Sequence, residues 1–279
     1  MPAHSATFPP LPADTARAAA DVFNIHNIYL SIGDRIDELL ADVKPADLDV
    51  SGKQPPGSLA MLALVTCFQY AENIPDRHAA DAVRTRMDWK YALHLGLSYP
   101  GFDPLVLCEF RQRLLQNPPA QWALDHILAW LGQIGLFAGR DRRQATAIQV
   151  IDTVCRLTRL EQMVEAIHQT LEALAAAQPD WLRAIAPAQW LQRYTSTSAT
   201  MSLPGSREEQ ERMAQAIGVD ALYLLDAIAQ AHKPELNALP EVQSLRRVWP
   251  RHFEKRLEQV CWRASCWDQC RLPGSFAHQ

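Results

Sequence analysis

Apolar residues recur along this chain mostly at helical spacing, and helix-breaking residues divide the pattern into short segments. Between residues 59 and 116 the pattern predicts four helices and one tight turn. They are helices over Leu59–Glu72, Asp76–Met87, Trp89–Leu93 and Pro104–Gln116, with the turn at Asn73–Pro75. The first two helices and their turn form a pair of the helix–turn–helix kind. We therefore expect a mostly α-helical fold.

The helical pattern continues after this group. Ala120–Ile134 carries its leucine and isoleucine residues on one stripe, and Gly135 is positioned to end that helix. From Val150 to just before Pro179 the apolar spacing predicts a long amphipathic helix of about 25 residues. Ala145–Ile151 is also compatible with a short strand that merges into this helix.

Further short helices follow the long one. The first is predicted to be capped by Asp180, and the second to begin at Pro187 and end at Tyr194. The third is predicted to begin at a capping box of Ser206 and Glu209 and to end at Gly218, the fourth to be capped by Asp220, and the last to begin at Leu239. The polar stretch Thr195–Ser202 is predicted to be a linker.

These elements suggest four parts. We expect a mobile or loosely docked arm over residues 1–20, a helical domain over 21–139, a further helical region over 140–260 and an irregular tail over 261–279. The long helix could pair with a second copy of itself or with its own chain. We favour the intramolecular partner, because the pattern lasts only about three heptads.

Composition limits the possible functions. The chain has 279 residues, a formal charge of −4 and a pI near 6.1, so attraction to nucleic acid must be local. It shows no run of about 18 apolar residues and no signal segment, so we expect a cytoplasmic protein without a membrane partner. It also lacks a glycine-rich phosphate loop, a nucleophile elbow and a paired-histidine metal motif.

Charge is nevertheless clustered. Residues 34–49 are acidic, whereas basic residues gather in two places, namely Arg140, Arg142 and Arg143, and then Arg246, Arg247, Arg251, Lys255 and Arg256. We interpret both basic clusters as solvated faces.

Three cysteines near the end could in principle bind zinc. Cys261, Cys266 and Cys270 would need His252 or His278 as a fourth ligand. Their spacing does not match the paired ligands of a usual zinc knuckle. We therefore predict no metal site.

Several ordered motifs resemble a known family. They are the run from Asp76 to Ala82, Asp88–Leu93, Gly101–Asp103, Phe110–Arg111, Leu157–Glu161, Pro179–Leu182 and Leu245–Trp249. Together they are similar to bacterial insertion-sequence transposases of the DDE type, with an InsH-like N-terminal domain. The resemblance runs from about Pro9 to Arg263.

The resemblance implies DNA transposition, with the element's terminal repeats as the DNA partner and a homodimer or full-length transposase as a possible protein partner. It also implies that residues 140–260 are the start of the catalytic domain and its helical insertion. That domain would be an RNase H-like core, incomplete here, in which three carboxylates hold two magnesium ions. In this chain Thr146 stands where the first aspartate is expected, and the nearest acid, Asp152, is predicted to face solvent. The resemblance places the other two acids later than Gln279, where this sequence stops. We therefore expect a truncated, catalytically inactive remnant without catalytic residues, metal ligands or a cofactor of its own.

DNA contact itself is argued from the helix–turn–helix layout, in which the second helix enters the major groove. That helix carries Arg77, His78, Arg84 and Arg86, while Lys90, Arg111 and Arg113 could hold phosphates nearby. A competing interpretation is that the interleaved acids Asp76, Asp81, Asp88 and Glu109 pair with these bases. The chain would then be an all-helical protein-interaction or dimerisation module that does not bind DNA.

Overall fold

The computed structural model describes residues 8–24, 26–42, 59–138, 145–194, 203–257 and 259–263. The chain forms two compact units that divide between Val154 and Cys155. The sequence had predicted the boundary between the two helical regions to lie between residues 139 and 140. Several predictions fall outside the described residues: the basic turn at Arg140, Arg142 and Arg143, the linker Thr195–Ser202, and Cys266, Cys270 and His278.

The first unit is built from short helices. Its complete helices are α1 (Ala13–Val22), α2 (Ile28–Asp34), α3 (Ile36–Asp42), α4 (Leu59–Glu72), α5 (Asp76–Thr85), α6 (Met87–Ala92), α7 (Leu105–Gln116) and α8 (Pro118–Ile134). The helix α4 lies in the core, since its residues from Ala60 to Tyr70 are all buried. The helix α8 ends at Gly135, whose φ of 102° suits a residue without a Cβ atom.

Part of the predicted mobile arm is docked onto the first unit. Residues 13–22 form α1, and Thr15 Oγ1 donates a hydrogen bond to the Leu95 carbonyl at 2.8 Å. Ala19 is fully buried. The arm was predicted from its prolines, but the small residues that follow them give α1 a face that packs against the first unit.

The long helix α9 (Ala147–Ala177) has 31 residues, more than predicted. It begins at a reciprocal cap: Gln149 N donates to Thr146 Oγ1 at 3.4 Å, and Thr146 N donates to Gln149 Oε1 at 3.0 Å. The backbone nitrogen of Ala147 also donates to Asp125 at 2.5 Å. These bonds account for the helix where a short strand over Ala145–Ile151 was considered.

The apolar stripe of α9 is occupied within the chain. The leucines and valines of this stripe at Val150, Val154, Leu157, Val164 and Leu174 are all fully buried. The prediction of an intramolecular partner for this stripe is therefore confirmed.

The second unit combines helices with one β-hairpin. Its elements after α9 are α10 (Pro179–Ile185), α11 (Gln189–Tyr194), α12 (Arg207–Gln230), α13 (Pro234–Asn237), α14 (Pro240–His252), β1 (Phe253–Arg256) and β2 (Gln259–Trp262). The strands are antiparallel, with Phe253 opposite Trp262. The mostly α-helical class is confirmed, and the RNase H-like core stays a prediction.

The helix α12 corrects one predicted boundary. It runs through Gly218 without a break, and Asp220, which was predicted to cap a new helix, lies buried inside it. A Cβ atom at Gly218 would come within 2.7 Å of the Phe253 ring, so glycine allows the hairpin to approach the helix. The glycine thus serves close packing rather than helix termination.

The hairpin also changes the prediction for the tail. Residues 261 and 262 belong to β2 rather than to an irregular segment, and residues 264–279 lie outside the described part. Within the described residues, no helix is both long and apolar enough to span a bilayer.

Candidate nucleic-acid interface

The pair α4 and α5 is held at a fixed angle by its turn. Asn73 adopts a φ of 58°, and Ile74 N donates to the Gln69 carbonyl at 3.1 Å, which closes the end of α4. The helix α5 then begins at Asp76, as predicted. Because α4 is buried along nearly its whole length, α5 is the helix of this pair with a broad solvent-facing side.

The helix α5 has two distinct faces. Its inward face consists of small apolar residues, namely Ala79, Ala80, Ala82 and Val83. Its outward face exposes Arg77, Asp81 and Arg84. Arg84 Nη2 lies 2.5 Å from Asp81 Oδ1, in a solvent-exposed pair one turn apart. Exposed pairs of this kind are weak, so Arg84 can exchange its partner.

His78 lies beside this outward face and is half-buried. Burial, and then the positive charge of Arg77, lower the pKa of His78 below its ordinary value, although Asp81 opposes the shift. The environment therefore favours the neutral imidazole, which carries no charge toward a phosphate.

Arg111 lies in the interior of the first unit. Its guanidinium Nη2 is 2.5 Å from Asp76 Oδ2, and the side chains are only 2% and 5% exposed. Gln69 completes the cluster, because it donates to Asp76 at 2.9 Å and accepts from Arg111 at 3.3 Å. Three helices, α4, α5 and α7, are thus joined by one buried ionic cluster.

Arg86 is also occupied by partners within the chain. It lies 2.5 Å from Glu72 Oε2 and 2.6 Å from Asp88 Oδ2, and its guanidinium stacks 5.1 Å from the Trp89 ring centre. Burial alone would lower the pKa of Arg86, but hydrogen bonds to Asp88 and Glu72 outweigh it and raise that pKa. Tyr29 donates its hydroxyl to the same Glu72 carboxylate. Arg86 therefore anchors α6 to α4.

The last two candidates differ from each other. Lys90 is buried, donates its ammonium to the Leu97 carbonyl, and has its pKa lowered by burial. Arg113 is half-buried, and its Nη2 lies 3.9 Å from Glu109 Oε2. Only Arg113 of the two reaches the surface.

The seven candidates therefore separate into three groups. Arg77 and Arg84 are exposed, His78 and Arg113 are half-buried near the surface, and Arg86, Lys90 and Arg111 support the fold. The interleaved acids Asp76, Asp81, Asp88 and Glu109 each pair with one of these arginines. The pairing was predicted at the surface, but the pair of Asp76 and Arg111 is buried. The partners Gln69, which is buried, and Glu72, which is half-buried, were not singled out from the sequence, because nothing local marks a polar residue on α4 as the partner of a distant arginine.

The residues considered for catalysis lie at the start of α9. Thr146 is the cap described above, and Asp152 is half-buried in the second turn of the helix rather than fully exposed. Cys261 is half-buried in β2, and the buried His252 accepts a hydrogen bond at Nδ1 from Arg159 Nε at 3.2 Å. In the described ranges, no three side chains of His, Cys, Asp or Glu are grouped as a metal site would require.

Comparison with known protein families gave one finding. Residues 21–113 match a family model described as a transposase domain (DUF772). The matched region contains α4, its turn and α5, and it ends within α7. Searches of curated proteins and of solved structures gave no match.

Proposed function

We propose that this chain has a role in transposition and that it recognises DNA through the outward face of α5. The support for transposition is the match of residues 21–113 to a transposase domain. A helix–turn–helix protein places its second helix in the major groove, where residues near the N-terminus of that helix reach base edges. Arg77 is the second residue of α5, and Arg84 lies two turns later on the same exposed face. This pair of exposed arginines on the second helix is the observation that carries the proposal.

The proposed surface is smaller than the sequence alone suggested. Arg77 and Arg84 are its central residues, and Arg113 could add a phosphate contact from α7. Arg111 is held by a carboxylate inside the fold, and the partly exposed Arg86 is held by two carboxylates. Freeing a buried cation such as Arg111 from its partner costs several kcal/mol, about 3–5, and that cost opposes its recruitment by DNA. The smaller cost of separating Arg86 from its two partners acts in the same direction.

Binding to a duplex that carries the terminal repeat of the encoding element tests this proposal. We expect Arg77→Ala and Arg84→Ala each to weaken binding by about 1–3 kcal/mol, the usual value of a base-reading arginine. Fluorescence anisotropy with the full chain gives the affinities, and a scrambled duplex measures sequence preference.

Arg35→Ala is the matched control. Arg35 pairs with Glu38 at 2.7 Å with the same three-residue spacing, and it is similarly exposed. Equal affinities for the Arg84→Ala and Arg35→Ala proteins would refute the proposed contact. Light scattering of the free protein addresses the alternative, a dimerisation module that does not bind DNA.

We also propose that this chain does not cut DNA by itself. The support is Thr146, which occupies the position where the resembling transposases have their first acid and which instead caps α9. A two-metal mechanism needs carboxylates that hold the ions, and a threonine hydroxyl cannot replace one. Nicking of a supercoiled plasmid in magnesium, abolished by Asp152→Ala, would overturn this part of the proposal.

A further inference from the structure

The outward face of α14 is a stripe of arginines. Arg246, Arg247 and Arg251 are exposed, together with Gln243 on the same side of the helix. The opposite side is buried through Val242, Leu245 and His252, as the helical period requires. Three positive charges therefore share one solvent-facing surface of the second unit.

The hairpin that follows α14 adds further exposed basic residues. The chain passes from α14 into β1, where Lys255 and Arg256 are exposed, and Arg263 follows β2. Between residues 243 and 263 the sequence has six Lys and Arg residues but two Glu, in a chain whose net charge is −4. The region is thus locally cationic in an acidic protein.

Few of these charges are neutralised. Glu254 is shared by Arg256 and Arg263, the latter at 3.2 Å. Arg246 bonds only to the neutral amide of Asn237, and Arg247 to a backbone carbonyl. Within the described ranges, the three arginines of α14 and Lys255 have no carboxylate partner, so their charge is available to a ligand.

The hairpin is tied to α9 by buried arginines. Arg159 Nη2 donates to the carbonyls of His252 at 3.2 Å and Arg263 at 3.0 Å, which ties both ends of the hairpin to α9. The guanidinium groups of Arg156 and Arg159 lie 4.5 and 4.8 Å from the Trp262 ring centre. Buried arginines thus hold the hairpin, while the arginines of α14 and Lys255 make no ion pair with the described residues.

We propose that this cationic surface of α14 and the hairpin binds the sugar-phosphate backbone of duplex DNA. Its charges are spread along a helix and onto a strand rather than converging on one pocket, which suits an extended polyanion. Contacts to phosphates carry no sequence information, so this site adds affinity and positions the duplex. The inference rests on the proposed role in handling DNA, but not on contacts made by α5.

The test replaces all three α14 arginines in the full chain, as Arg246→Gln, Arg247→Gln and Arg251→Gln together. Binding to a duplex of arbitrary sequence is measured over a series of salt concentrations. The slope of log affinity against log salt is negative, and each lost phosphate contact reduces its magnitude by about 0.9, so we expect the magnitude to fall by about 2.7 for three contacts. Affinity in low salt should fall by at least about tenfold.

A matched triple control removes the same charge from other exposed arginines of the second unit, as Arg183→Gln, Arg207→Gln and Arg212→Gln. An equal loss of slope in both triple variants would overturn the proposal. Competition by polyglutamate as effective as competition by DNA would also overturn it, because an acidic protein would then be the fitting partner. If the α14 variant does not fold, Lys255→Gln with Arg256→Gln applies the same test to the hairpin.

Measuring the affinity for both the terminal repeat and a duplex of arbitrary sequence separates this inference from the role of α5. Arg77→Ala with Arg84→Ala should reduce preference for the terminal repeat, whereas the α14 variant should weaken all duplexes alike. If the α5 variant has no effect and the α14 variant lowers the slope, the α5 proposal fails and this one stands. If only the α5 variant has an effect, this inference fails.

Discussion

Two basic regions of this protein differ in how their arginines are paired with carboxylates. Around α5 to α7, four arginines pair with carboxylates; Arg111 lies inside the fold and Arg86 is partly exposed. Along α14, three exposed arginines have no carboxylate partner in the described residues. The number of basic residues in a segment therefore does not show how much charge the segment offers to a ligand.

The difference follows from where the acids lie. In the first region, Asp or Glu residues are interleaved with the arginines and reach them across helix boundaries, as Asp76 does to Arg111. In the second, among the residues that the structure describes, Glu254 pairs with arginines, and its partners are Arg256 and Arg263 rather than the arginines of α14. We therefore expect substitutions of Arg86 and Arg111 to change stability, and substitutions of the exposed arginines on α14 to change DNA affinity.

The largest expected effect is that of Arg111→Ala. It leaves Asp76 buried without its ionic partner, which should lower the free energy of unfolding by about 3–5 kcal/mol. Urea denaturation followed by circular dichroism measures the loss. Arg113→Ala on the same helix is the control, since its exposed pair with Glu109 should be worth less than about 1 kcal/mol. Equal losses in the two proteins would remove the distinction between interior and surface arginines.

Gly218→Ala should have the next largest effect. Alanine favours a helix over glycine by about 1 kcal/mol, but its methyl group would lie within 2.7 Å of the Phe253 ring. Overpacking costs about 1–3 kcal/mol, so we expect a net loss of stability in thermal denaturation. An increase in stability would show that the hairpin is not packed against α12 in solution. The hairpin would then not be held in the position that the proposed DNA-binding surface requires.

Arg86→Ala should lower the free energy of unfolding by about 1–2 kcal/mol, since it removes partly exposed hydrogen bonds to two carboxylates and a stacking contact. Its control is Arg84→Ala, whose exposed pair with Asp81 should contribute less than about 0.5 kcal/mol. Chemical denaturation of the two proteins compares them directly. If Arg84→Ala were the more damaging, the outward face of α5 would be structural rather than free to bind.

The smallest effect on stability is expected for the triple glutamine variant of α14. Its arginines are exposed, so the free energy of unfolding should change by less than about 0.5 kcal/mol. The buried Arg159→Gln variant serves as the contrast within the same unit and should be clearly destabilised. A large loss in the triple variant would mean that these arginines support the fold, as those around α5 to α7 do.

Local signals predicted much of the helical framework. The bounds of α4 agree with the prediction, and Gly135 ends α8 in the left-handed conformation. Ser206 caps α12 and bonds to Glu209, as the capping-box pattern indicated. These features depend on residues within one or two turns of each other, and a sequence displays such neighbours directly.

Long-range features were not predictable in this way. Gly218 looked like a helix end, but the hairpin packed against it explains why a glycine is needed within the helix. Of the seven candidate DNA-binding residues, the sequence could not say that Arg111 lies inside, because its partner Asp76 is 35 positions away.

The sequence by itself determined that this protein is mostly helical, where several helices begin and end, and which segments resemble a transposase. Only the tertiary structure decided which arginines are held by internal carboxylates and which face water. The physical reason is that helix formation depends mainly on neighbouring residues, whereas the burial of a charge depends on which distant side chains the packing brings to it.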